Sequence, residues 1–150
     1  MELSLSIEMG VRYRELRLQF AGQPWVCDLY YFAIDDMVLS EGAGKDKARI
    51  VLRRLLDQWL TAVENIPDGG AVYLPYDFSD QYTGWLRCSR LGSCVDVCRG
   101  WAELEGWSFA PSDVGERLFQ LTGFQSLGPT VQVSLKELVE AVQNMATRNG

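Results

Sequence analysis

The sequence predicts an α+β fold: a mainly antiparallel β-sheet with a long helix over about 46–66 and a C-terminal helix over about 134–147 packed on it. Three patterns carry this reading. Apolar and polar residues alternate from Glu2 to Glu8 and again from Val11 to Phe20. Ala48, Val51, Leu52, Leu55, Leu56, Trp59, Leu60 and Val63 recur at spacings of three and four, a broad helical stripe. Ser134 and Glu137 form a capping box ahead of Leu135, Leu138, Val142 and Met145.

The elements follow in order. Leu3, Leu5 and Ile7 share one face of a first strand, and Leu16, Leu18 and Phe20 one face of a second. Met9-Gly10 is the turn between them, so the two form an antiparallel hairpin, which Gln23-Pro24 breaks. Trp25 to Ile34, rich in aromatic and branched residues, predicts a third strand. Asp35-Asp36 predicts a turn, and Met37 to Leu39 a short return strand. Asp46 stands where it can cap the long helix, and Pro67, Asp68, Gly69 and Gly70 end it. Ala71 to Pro75 reads as a more central strand. Tyr82 to Arg90 and Ser93 to Leu104 read as a hairpin around Leu91-Gly92. Ser112-Asp113 caps a single turn to Leu118, and Val131 and Val133 mark a last short strand. No repeat or interdomain linker interrupts residues 1–150, so one domain is expected.

Composition narrows the function classes. The chain has 150 residues, 47% hydrophobic and 23% charged, an ordinary globular mixture. Fourteen Lys and Arg stand against 20 Asp and Glu, a net charge of -6. A nucleic-acid binder is usually basic, so nucleic acid is not expected as a partner. The N-terminus has no continuous apolar stretch and no apolar run reaches membrane-spanning length, so a cytoplasmic protein with no membrane partner is expected. The absence of histidine removes the commonest general base, the commonest metal ligand and every His-dependent triad.

The remaining chemical motifs read better as structure. Gly42-Ala43-Gly44-Lys45 precedes a helix like a phosphate loop, but Leu39 and Asp46 stand where the Walker pattern needs a glycine and a Ser or Thr. Cys88, Cys94 and Cys98 are separated by five and three residues, not the paired spacing of a zinc site, and Cys27 is remote. Reduced core thiols are the expectation, with Cys94 and Cys98 on one strand face. No metal or cofactor is expected. The carboxylates of Asp35-Asp36, Asp77 with Asp80, and Glu103 with Glu105 read as a solvated surface rather than as a catalytic pair.

The segment Tyr76 to Trp85 has the most unusual composition, with acids, small polar residues and large aromatics, and Tyr73, Trp101 and Trp107 lie nearby in the sequence. It is expected as a loop between strands. Interface centres favour Tyr and Trp, and acids at a rim steer a basic partner. Asp77, Asp80, Tyr82, Trp85 and Tyr76 are therefore the candidate partner-binding residues, with Asp35 and Asp36 as further candidates.

A short, acidic, histidine-free, Trp-rich α+β chain resembles the immunity proteins of bacterial polymorphic-toxin and contact-dependent growth inhibition systems. The stretch Tyr76-Asp77-Phe78-Ser79-Asp80-Gln81-Tyr82-Thr83-Gly84-Trp85-Leu86-Arg87 also looks like segments of small bacterial families found in such settings. The resemblance implies a non-catalytic protein that binds a cognate toxin domain, such as a basic nuclease, and occludes its active site. It transfers no site residues, because immunity proteins share no common active-site signature. Two other readings stay open. A binding or regulatory module for a small ligand or another protein would hold an aromatic-lined pocket. A histidine-independent hydrolase would converge two carboxylates in a cleft.

Overall fold

The computed structural model describes residues 5–9, 15–35, 37 and 44–149, of which 44–46 by their backbone alone. Two antiparallel sheets form where one was expected. The first has strands β1 (Leu5–Met9), β2 (Glu15–Phe20) and β3 (Gln23–Asp28), in that order. The second has β4 (Ala71–Phe78), β5 (Thr83–Leu91), β6 (Cys94–Ala102) and β7 (Gln125–Ser134), each paired with the next. A one-turn helix α1 (Tyr30–Ala33), the long helix α2 (Gly44–Glu64), a 3-10 turn over Gly115–Leu118 that starts at Val114 with no side-chain cap from Ser112 or Asp113, and the closing helix α3 (Leu135–Arg148) complete the α+β fold. None of these helices is long and apolar enough to cross a membrane.

The first hairpin forms for the reason its alternation predicts. Ile7, Leu16, Leu18 and Phe20 are buried, while Arg17 and Gln19 face outward. Gln23-Pro24 does not break the sheet, because Ala21 and Gly22 already make the turn, both at positive φ (53° and 78°). Pro24 then sits on the edge strand β3, where a missing N–H is tolerated. The strand expected to Ile34 ends at Asp28, whose carboxylate accepts from the Tyr30 amide at 2.7 Å in a turn that leads into α1. Of the expected return strand, Met37 lies in a turn and residues 38–39 lie outside the described residues.

Helix α2 buries Val51, Leu52, Leu55, Leu56 and Trp59 completely. It begins at Gly44, so Asp46 falls inside the first turn rather than ahead of it. Beyond its C-terminus the Ile66 carbonyl accepts from Arg90 Nη1 at 2.8 Å, which ties the helix exit to β5. Trp59 Nε1 donates to the Pro75 carbonyl at 3.0 Å and fixes the helix against β4. Helix α3 starts at the expected cap, with Ser134 Oγ accepting from the Glu137 amide at 3.0 Å, while the Glu137 carboxylate accepts from the Ser134 hydroxyl at 3.2 Å. Arg53 Nη1 donates to the Ala146 carbonyl and binds the two helices. One hydrophobic cluster runs through both sheets and all three helices.

Two strands exceed their expected length. Strand β7 extends back to Gln125 through Gly128-Pro129, because the register jumps from Cys98↔Thr130 to Arg99↔Leu127 and leaves those two residues as a bulge on an edge strand. Strand β4 runs on to Phe78 with an extra residue at Tyr76, between the pairs Pro75↔Trp85 and Asp77↔Gly84. The bulge breaks the inside–outside alternation, so Pro75, Tyr76, Asp77 and Phe78 are all buried. Cys88 and Cys98 are buried as expected of core thiols, but Cys94, beside the Gly92 turn, is exposed.

Candidate functional site

The segment expected as a loop is mostly strand. Its Tyr, Phe, Thr and Trp suit a pleated surface, and this outweighs the two aspartates. Only residues 79–82 turn, closed by the Ser79 amide on the Tyr82 carbonyl at 3.1 Å. The consequence for the candidate residues is large. Trp85 and Tyr76 are buried and present no surface to a partner. Asp77 and Asp35 are buried as well. Asp80 and Tyr82, on the turn, are exposed. Asp36 lies outside the described residues.

The buried candidates act as supports. Trp85 Nε1 donates to Thr83 Oγ1 at 2.6 Å, and its ring stacks on Phe109 with centroids 5.7 Å apart. Phe109 in turn carries the Arg117 guanidinium at 5.0 Å. Asp35 accepts from the Met37 amide at 3.0 Å and the Ser112 amide at 2.9 Å, joining the segment after α1 to the 109–113 stretch.

These supports frame a surface groove of about 470 Å³. Phe109 and Arg117 line it, and Ile34, Met37 and Trp107 stand at it 50%, 56% and 66% exposed. Three large apolar side chains beside one groove are more than the scattered exposure of an ordinary surface. Exposed Asp113 adds an acid to the lining. Periodicity gave no sign of Trp107: it sits in a stretch of turns with no repeating pattern, so only the fold reveals its exposure.

A second hollow, of about 350 Å³, lies where the sheets meet. Trp25 from β3 faces Arg99 and Trp101 from β6, with Leu127 from β7 and Tyr82 from the turn. Gly84 lets this junction close, because a Cβ there would come 2.9 Å from Asp77 Cβ and 3.1 Å from Tyr76 Cζ. Trp25 Nε1 donates to Asp77 Oδ2 at 3.1 Å, and Ser79 Oγ to Asp77 Oδ1 at 3.2 Å. Burial raises the Asp77 carboxyl above its ordinary value, against the opposing pull of these two donors and of Arg99. The same burial pushes the Cys27 thiol and the Tyr76 hydroxyl up.

The 79–82 turn is bonded to a lining residue of each hollow. Ser79 reaches Asp77 on one side, and Asp80 accepts from the Tyr31 hydroxyl on the other. That bond pushes the Tyr31 hydroxyl up to about 12. Asp77 and Asp80 are thus held by different partners. Among the described residues no three His, Cys, Asp or Glu side chains come together as a metal-ligand group.

No family model and no curated protein matches the sequence. Among solved structures the chain is similar to one from the CdiA-CT/CdiI toxin and immunity complex of Enterobacter cloacae, at 10% sequence identity and a TM-score of 0.48, over 97% of this chain and 99% of that chain.

Proposed function

We propose that the protein is a non-catalytic immunity protein that binds a cognate toxin domain and occludes its active site. The observation that carries this reading is the exposed apolar cluster of Ile34, Met37 and Trp107 beside the first groove, with Asp113 in its lining and Asp80 on the neighbouring turn. An aromatic anchor among exposed apolar neighbours, with acids beside it, suits a protein interface that selects a basic partner. The net charge of -6 adds long-range attraction for a basic domain such as a nuclease. The carboxylates support the non-catalytic part of the reading: Asp35, Asp77 and Asp80 each serve as hydrogen-bond acceptors that hold the fold. Asp80 and Tyr82 join the partner surface in this reading, whereas Trp85 and Tyr76 hold it from beneath.

Affinity capture from lysate of the native organism, across a salt series, tests the proposal. The expected result is one stoichiometric basic protein that loosens at high salt, is toxic when produced alone, and is neutralised by this chain. Trp107→Ala should weaken capture at least tenfold, as loss of a central aromatic anchor does. A partner held equally well by the variant, or no partner at any salt, overturns the reading.

A further inference from the structure

The second hollow has a chemistry that the partner-binding reading does not use. Its wall is aromatic and aliphatic, from Trp25, Tyr82, Trp101 and Leu127, and its principal cation is Arg99. The guanidinium lies 4.1 Å over the Trp25 ring, which holds it in place. No carboxylate is within ion-pair distance of it among the described residues. Asp77, the nearest acid in the lining, has its two oxygens engaged by Trp25 and Ser79. Arg99 Nη1 is sheltered from water and has no hydrogen-bond partner. The Tyr76 hydroxyl, in the same lining, meets the guanidinium, so Nη1 is the donor left unmet, an unusual arrangement because sheltered polar groups are nearly always paired.

We infer that this hollow binds a small carboxylic acid carried on an aromatic or aliphatic body, with its carboxylate on Arg99 and its body against Trp25, Trp101 and Leu127. A carboxylate matches the fork of the guanidinium and accepts from its donors. The volume suits a single small ligand. A phosphate fits less well, because one guanidinium beside Asp77 offers too little positive charge for a dianion. The site shares Tyr82 with the proposed partner surface but has no lining residue in common with the groove at Trp107.

Calorimetric titration of the whole protein with indole-3-acetate and phenylacetate, each beside its neutral amide, tests this. Saturable one-to-one binding of an acid is expected, with its amide at least tenfold weaker. Arg99→Gln should weaken the acid at least tenfold and leave the amide unchanged, while Trp107→Ala should change neither. The acid–amide comparison uses the unaltered chain, so it decides the matter even where Arg99→Gln unfolds. Equal binding of acid and amide, acid binding untouched in a folded Arg99→Gln variant, or no saturation by either acid up to about 10 mM overturns the assignment. Loss of toxin capture by Trp107→Ala with acid binding intact would separate this site from the interface.

Discussion

Trp25 and Asp77 are hydrogen-bonded across the junction of the two sheets, 52 positions apart in the chain, with the indole donating at 3.1 Å. This bond brings the edge strand β3 against the bulged end of β4. It also leaves a carboxyl sheltered beside an arginine, and the pH dependence of stability should report it.

Burial raises the Asp77 carboxyl in the folded chain above its unfolded value of 3.8. The folded state therefore holds this proton more tightly than the unfolded one. The stability that protonation contributes is present below the unfolded value and is lost as pH rises through the raised folded value. Asp77→Asn removes this titration. Urea unfolding of both proteins between pH 4 and pH 7 should show the stability difference moving toward the variant as pH rises; parallel curves would show that Asp77 does not titrate in this window.

Trp59 is fully buried and bonded to the Pro75 carbonyl. Trp59→Phe keeps most of the apolar volume but leaves that carbonyl unpaired and a void beside it. A loss of about 1–3 kcal/mol is expected in chemical denaturation. A change near zero would mean that the helix–strand contact does not need the indole.

Ser134 caps α3 through its hydroxyl. Ser134→Ala should cost about 1 kcal/mol, and restoring Asp or Thr there should recover most of it. Thermal melts followed by circular dichroism measure both. Equal melting of Ser134→Ala and the parent would remove the cap as a stabilising feature.

Ala21 holds a φ of 53° in the β2–β3 turn, a conformation that its Cβ disfavours. Ala21→Gly relieves this, and a gain of about 1 kcal/mol is expected despite the added freedom of the unfolded chain. A lower melting temperature would show that the turn is not strained at this position.

Elements governed by local pattern were legible in the sequence. The alternation of Leu16, Leu18 and Phe20, the stripe from Val51 to Trp59 and the Ser134–Glu137 cap each act within a few residues, and the structure follows them. The candidate site was legible only in part. Asp80 and Tyr82 are exposed on the turn as expected, whereas the buried Trp85 has the same residue type and flanking sequence as a surface anchor. What separates them is the stacked Phe109, which arrives from a stretch without periodicity.

By themselves, the residues determined an acidic α+β chain without histidine, built from hairpins and two amphipathic helices, because charge, side-chain chemistry and apolar spacing are local properties. Tertiary structure decided the division into two sheets, the inward turn of Tyr76 at its bulge, the meeting of Arg99 with Trp25, and the exposure of Trp107. Each of these depends on register shifts and on contacts between segments far apart in sequence. A one-residue bulge redirects every side chain beyond it, and no short-range pattern records where that happens.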